Sequence, residues 1–292
     1  CDPSVMLYKA YLALRSVRYD FSTPIAYYKT GLMQAAETRQ KLLGEVKGAL
    51  KKGEFEVWFQ PQYDYETSAL IGAEALVRWR HPERGLIPPA DFIPLLERSR
   101  QVTFVDTYVI EKSCAYAKYW QERGIELPIS VNISRIDILG GKICRTIYDT
   151  VKKLGIEPRL IKLEITESAY TSDTEALKSV VTDFKAAGFT VEMDDFGSGY
   201  SSLNILKDLD IDTIKIDIKL TSQVGCGNKK SDDILRSVVK MAKDLNIGVI
   251  AEGVETKTQA EFLKAVGCTA MQGYYFARPM PPQEFEQLVG KD

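Results

Sequence analysis

The chain is 292 residues long, 45% hydrophobic and 27% charged, which fits a soluble globular fold and not a disordered or fibrous one. Its net charge of −2 excludes the basic field that a nucleic-acid polymer requires, and no apolar run approaches the roughly 18 residues of a membrane span. The five cysteines are odd in number, far apart and without a C-x-x-C pair, so they read as reduced thiols of a cytoplasmic protein and not as a disulfide or zinc framework.

The chain opens on Cys1 with no visible signal peptide, which reads as a piece of something longer. Residues 1–40 form an N-terminal extension with an amphipathic run, "VMLYKAYLALRSVRYD", and a tyrosine-rich stretch. A helix over residues 33–53 leads into the main domain, 41–292, and stops at "KKGEF". Strand-like runs then fall at 55–60, 70–79, 128–134, 160–166, 189–194, 213–218, 248–253 and 270–275. Amphipathic stretches at 103–123, 137–154, 173–187, 230–246 and 256–266 separate most of them. Strand-then-helix alternation signals a parallel sheet, and eight strands over about 235 residues match a TIM-type β/α barrel, whose usual length is about 250. The connection "PQYDYETSAL" is too short and turn-rich for a helix, so the first two strands pair antiparallel. No glycine-rich dinucleotide fingerprint follows the first strand, which argues against an open doubly wound sheet.

Side chains alternate between the two faces of a strand, so parity sorts them. Val131, Ile133, Leu163, Ile165, Val191, Met193, Ile214 and Ile216 take one face, which must lie beneath helices. The other face carries Glu74, Asn132, Glu164, Asp194, Lys215, Glu252 and Gln272, with Asp195 next in line, and it points into the barrel mouth. Five carboxylates there repel one another unless cations are bound. Oxygen donors without cysteine or histidine select hard ions, Mg²⁺ or Mn²⁺, and adjacent aspartates can divide their oxygens between two ions about 3.5–4 Å apart. The single histidine, His81, falls in a turn beyond its strand, which removes a histidine base or serine–histidine triad. Lys215 has two readings: a structural partner of Asp217 or a neighbouring carboxylate, or a group that acts on water and phosphate charge. The Gly197–Gly199 turn is either a tight connection or a loop that closes over substrate. "DFG" alone also occurs in protein kinases, but "H-R-D" is absent.

Seven motifs follow in order: "EALVRW" (74–79), "SVNIS" (130–134), "LEITES" (163–168), "DDFGSGYSS" (194–202), "IKID" (214–217), "EGVET" (252–256) and "QGYYFARP" (272–279). Together they resemble the EAL family, phosphodiesterases that linearise the bacterial messenger cyclic di-GMP, over about residues 45–289. The resemblance implies metal ligation by Glu74, Asn132, Glu164 and Asp194, with Asp195 reaching a second ion. It implies that Lys215 contacts the attacking water and that Glu252 serves at the metal centre as a base. Glu167 and Glu255 correspond to carboxylates that support the loop, and Gln60, Leu76, Arg78 and Gln272 to residues lining the nucleotide pocket. Mg²⁺ or Mn²⁺ would support turnover and Ca²⁺ would inhibit it. Ser198 stands where threonine is usual, and "IKLTSQV" follows "KID" where the family often has Ser-Phe.

Residues 1–40 resemble the end of a GGDEF module, which implies an upstream cyclase-like or sensory domain and a parent protein anchored elsewhere if at all. The resemblance also implies a homodimer through residues 200–210 and 219–235. The expected function is hydrolysis of cyclic di-GMP to pGpG. A silent receptor for the same nucleotide is the alternative, and every expected ligand is present against it.

Overall fold

The computed structural model describes residues 2–17, 25–141, 143–170, 173–198, 202–225 and 227–289. Cys1, Cys226 and residues 18–24, 142, 171, 172, 199–201 and 290–292, on which parts of the extension, loop and dimer expectations fall, lie outside that description. Helix α1 (Pro3–Ser16) starts where the Asp2 carboxylate accepts the Ser4 N–H at 2.9 Å, with proline at its first position. Helix α2 (Thr30–Lys52) runs through the expected boundary at residue 40 and stops at Gly53, whose φ of 73° suits glycine.

Strands β1 (Phe55–Asp64) and β2 (Leu70–His81) form the expected antiparallel hairpin, and β3 (Gly85–Ile87) folds back on β2. Helices α3 (Pro89–Arg98) and α4 (Val102–Gln121) lead to β4 (Ile129–Ile133), followed by α5 (Arg135–Gly140) and α6 (Ile143–Leu154). Then come β5 (Ile161–Thr166), α7 (Glu167–Tyr170), α8 (Thr174–Ala186), β6 (Thr190–Phe196) and α9 (Ser202–Asp208). The chain ends with β7 (Thr213–Ile216), α10 (Ile218–Thr221), α11 (Lys229–Asp244), β8 (Gly248–Ala251), α12 (Lys257–Val266), β9 (Ala270–Met271) and α13 (Pro282–Val289).

The strand order β1-β9-β8-β7-β6-β5-β4-β2 closes on itself through β1–β2, giving the eight-stranded barrel that the alternation implied, with β3 outside it. β2 and β4 to β9 run parallel, whereas β1 is antiparallel to both neighbours. Phe55, the first residue of β1, therefore sits beside Trp79 near the carboxyl end of β2. The apolar faces assigned by parity are buried under the helices, as at Val131, Leu163, Met193 and Ile214. Helix α6 shows the matching pattern, burying Ile143, Ile147 and Val151 at four-residue spacing. Cys114, Cys144 and Cys268 are free thiols. Among the described residues no helix is long and apolar enough to cross a membrane.

Three expectations need correction. The single helix over 137–154 is two, because Gly141 (φ 64°) caps α5 with its N–H on Asp137 and Ile138 carbonyls. The run 270–275 is a strand only to Met271; past it Gly273 lies against the Val254 backbone, where a Cβ would come within 2.2 Å of the Val254 carbonyl oxygen, so only glycine fits. His81 is the last residue of β2, not a turn residue; its Nδ1 accepts from Glu83 N–H, which leaves Nε2 to donate to Glu45 at 3.0 Å. The short elements β3, α3, α7 and α13 lie outside the expected strands and helices.

The closure of the barrel is thin. β9 pairs with β1 only at Tyr63↔Met271 and Asp64↔Ala270, helped by reciprocal 2.9 Å hydrogen bonds between Phe59 and Met280. The weight falls on packing, where the fully buried Phe59 ring meets Tyr116, Trp120 and Phe285 at 5.3 Å centroid distances. Phe59→Ala should therefore cost about 3–5 kcal/mol in urea unfolding. Leu139→Ala, at a half-exposed position, should stay within about 0.5 kcal/mol.

Candidate active site

Lys215, on β7, is fully buried, and its ammonium faces four carboxylates: Glu164 at 2.6 Å, Glu252 at 2.8 Å, Glu74 at 3.2 Å and Asp194 at 3.6 Å. These residues come from β5, the end of β8, β2 and β6, so the barrel alone brings them together. The Asp217 reading of Lys215 is corrected here, because Asp217 instead caps α10 by accepting the Lys219 N–H at 2.6 Å. Asn132 Nδ2 donates to Glu74 Oε1 at 3.2 Å, which leaves its carbonyl oxygen as a donor atom for a cation.

The paired aspartates depend on a bulge. Met193 pairs with Ile214 and Phe196 with Ile216, so Asp194 and Asp195 together oppose the single residue Lys215. Asp195 takes φ 56°, and its N–H is held by Asp194 Oδ1 at 2.9 Å. Without the bulge, adjacent strand residues would face opposite sides of the sheet. Beyond it, Gly197 (φ 92°) donates its N–H to Glu167 Oε2 at 3.2 Å, and a Cβ there would lie 2.3 Å from Leu220 Cδ1.

Gln272 Nε2 donates to Glu74 Oε2 at 2.5 Å and Gln60 Oε1 at 3.0 Å, and Gln62 donates to Gln272 Oε1 at 3.1 Å. This amide chain fixes Glu74 from the β1–β9 side. Leu76 lines a cavity of about 620 Å³ beside Asn132. Arg78 is half-buried, hydrogen-bonded to the Val77 carbonyl and 5.5 Å from the Trp58 ring centre. Glu255 is exposed, and its backbone N–H bonds to Gln259 Oε1.

Charge at the mouth does not balance, and the titration directions show it. Burial raises Glu74, but Lys215 and Gln272 outweigh this and hold it below the usual range. Burial and then the Glu74 charge push Glu164 well up, and burial likewise raises Asp194. Burial, Asp194 and Asp217 push Asp195 to about 6, and burial pushes Glu252 to about 8 against the pull of Lys215. The carboxylates, in turn, overcome burial and raise Lys215. Among the described residues no three acidic groups close on a point of their own, because the ammonium lies at their centre. Glu164 Oε2 is nevertheless buried without a hydrogen-bond donor, and the donor set is oxygen alone. Both features fit hard divalent cations.

The EAL domain family model matches residues 44–279 of this chain. The chain belongs to the EAL domain family. Its sequence is 34% identical over 265 residues, 90% of this chain and 45% of the relative, to the cyclic di-GMP phosphodiesterase PA2567 of Pseudomonas aeruginosa. It is 32% identical over 261 residues, 88% of this chain and 38% of the relative, to MucR of the same organism, a bifunctional diguanylate cyclase/cyclic di-GMP phosphodiesterase. The solved MucR phosphodiesterase in complex with c-di-GMP superposes with a TM-score of 0.80 at 32% identity, covering 84% of this chain and 99% of that one. This EAL domain thus spans less than half the length of these curated relatives.

Sequence reasoning missed a second buried acidic pair. Asp106 (α4) and Asp137 (α5) each bury an oxygen that has no donor of its own, Asp106 Oδ2 and Asp137 Oδ1, and the two carboxyls hydrogen-bond to each other. Burial first, and then Asp137, push Asp106 well above the usual carboxylate range, which favours its neutral form. Glu192 was also missed, although it shares parity with Asp194. It is fully buried inside the barrel and accepts from Ser130 at 2.6 Å and Lys162 at 3.0 Å. The raised Asp106 value means stability that is present at low pH and lost as pH rises through that value. Asp106→Asn should therefore raise the melting temperature by a few degrees at about pH 8 and by less at about pH 5, in paired calorimetric scans.

Proposed function

We propose that this EAL domain hydrolyses one phosphodiester bond of cyclic di-GMP to give linear pGpG, using two Mg²⁺ or Mn²⁺ ions. The observation that carries this reading is the charge at the mouth: four carboxylates within 3.6 Å of one ammonium, with Asp195 beside them. Glu74, Asn132, Glu164 and Asp194 would hold one ion and Asp195 would reach the other. When bound, such ions act as Lewis acids toward the phosphate. Lys215 orients the attacking water and opposes charge developing on the phosphate. Glu252, the most exposed of the four carboxylates around Lys215 at 19%, accepts the water proton as the new P–O bond forms and the ester bond breaks. Arg78 can grip two phosphate oxygens with its planar fork, and Gln60, Leu76 and Gln272 line the nucleotide. Glu167 and Glu255 support the loop that carries Asp195. The receptor alternative loses support because none of the ligating side chains is missing.

The same reading divides the chain into an extension over 1–40 and a barrel over 41–292, set in a cytoplasmic part of a longer protein with an upstream GGDEF-like or sensory domain. MucR, a longer and bifunctional relative, supports it. Homodimerisation through α9 and α11 is supported by the exposed Leu203 and Ile234. Ile234→Glu should shift the protein toward monomer in light scattering at tens of micromolar, and an unchanged dimer would remove this interface.

Incubation with cyclic di-GMP, with nucleotides resolved by chromatography, should yield pGpG with Mn²⁺ or Mg²⁺ and none in EDTA or with Ca²⁺, which tolerates irregular geometry. Hydrolysis in EDTA would defeat the metal reading. Lys215→Met should lower turnover by a factor on the order of 10² to 10³. The metal-free variant should also lose about 3–5 kcal/mol, because it leaves buried carboxylates unpaired. Mn²⁺ should then raise its melting temperature more than that of the wild type. Wild-type turnover in a stable Lys215→Met protein would remove the catalytic role.

A further inference from the structure

Beneath the oxygen-lined mouth lies a buried ion pair that the proposed reaction does not use. Lys162 on β5 and Glu192 on β6 face the barrel interior, each two residues ahead of a mouth carboxylate, Glu164 and Asp194 respectively. Glu192 is fully buried. Its Oε2 accepts from the Ser130 hydroxyl at 2.6 Å, and its Oε1 meets the Lys162 ammonium at 3.0 Å. Lys162 is itself largely buried, with 18% of its side chain exposed.

Register places Glu192 directly beside Glu164, its Cα partner across β5 and β6. Burial first and then Glu74 raise Glu164, and the charges of Asp194 and Glu192 add to that rise, so the Glu192 carboxylate acts on Glu164. A further buried negative charge at that depth is costly, and the lysine next to it supplies the reason for it. Alternate residues of a strand share a face and stand about 6.6 Å apart, within the span of a lysine's four-carbon stem. Lys162 can therefore reach Glu164, whose Oε2 is buried with no donor of its own. Lys215 already meets Glu164 Oε1 at 2.6 Å, so a second ammonium on Oε2 would close both oxygens to a cation.

We propose that Glu192 is a positioning residue: with Ser130 it holds Lys162 away from Glu164 and so leaves the free oxygen of that carboxylate to a divalent ion. Glu192 touches neither ion nor substrate in this role and acts through Lys162 and Glu164. The role rests on the metal reading of the mouth, and what it sets is ion affinity.

Mn²⁺ binding to the full chain, followed through the electron paramagnetic resonance of the free ion, tests this without turnover. Glu192→Gln keeps an oxygen for the Ser130 hydroxyl but gives up the charge that holds the ammonium. It should weaken Mn²⁺ binding by at least about tenfold, the lower end of what partners behind a metal ligand contribute. Lys162→Met/Glu192→Gln also removes the competing ammonium and should return affinity to within about threefold of the wild type. If Glu192 merely packed the barrel, the double variant would bind no better than the single one; melting temperatures of the metal-free proteins are recorded beside the affinities. Unchanged affinity in a folded Glu192→Gln protein overturns the role, and so does a double variant as weak as the single. If Glu192→Gln does not fold, Glu192→Asp, whose shorter side chain loosens the hold on Lys162, should lose at least about threefold. Unchanged binding there overturns the role equally. Absence of Mn²⁺ binding in the wild type would instead strike the metal reading itself, and this role with it.

Discussion

One ammonium group inside the barrel holds the active face together. Lys215 is fully buried, a position that a lysine tolerates only when opposite charge is in contact with it, and four carboxylates from four strands supply that charge. The dependence is mutual. Removing the lysine would leave Glu164, with no exposed surface at all, among other negative charges in a low-dielectric interior. The amide chain Gln62–Gln272–Gln60 and the hydrogen bond from Asn132 complete the constraint by fixing Glu74 in one orientation. What results is an oxygen-lined cup with four carboxylates around one ammonium, and that excess of acidic groups is what the proposed metal ions would offset.

The site stands on strand ends, and the exception is instructive. Asp195 stands beside Asp194 opposite Lys215 because β6 inserts one extra residue there, and the left-handed backbone at Asp195 turns the chain into a loop tethered by Glu167. Strain of this kind persists only when surrounding contacts over-determine it. Here the Asp194 carboxylate and the Glu167 carboxylate each hold one backbone N–H of the turn.

Period-two alternation carried the barrel and most of the cup, because burial on the helix side demands uninterrupted apolar parity and leaves polar residues only one direction to face. Glu74, Glu164, Asp194 and Lys215 follow from it directly. The bulge does not, since a one-residue insertion breaks the parity on which the reading rests. Of the two structural partners offered for Lys215, the neighbouring carboxylates hold and Asp217 does not: it is near in sequence, yet it lies beyond the strand end, where it caps a helix. The break at Gly140–Gly141 was visible as two glycines, and the buried positions on its two sides, Ile138 and then Ile143, Ile147 and Val151, fall out of helical phase. Helix α3 is amphipathic, burying Phe92 and Leu96 at four-residue spacing, but it is only ten residues long and contains Pro94, which reads as a helix breaker. The Asp106–Asp137 pair joins two helices whose relative placement no local pattern encodes.

The reversed direction of β1 has an architectural consequence. In a barrel of parallel strands the polypeptide arrives at the face opposite the catalytic one, a full strand away, about 17–20 Å. Here the first residue of β1 lies at the carboxyl rim beside Trp79, and α2 joins it through Gly53 and is clasped to that rim by the Glu45–His81 bond. Anything attached ahead of α2 is thus hung from the working side of the barrel, like a handle fixed to the lid and not to the base. Torque or displacement delivered along that helix arrives at the rim carrying Leu76 and Arg78 without having to cross the barrel interior.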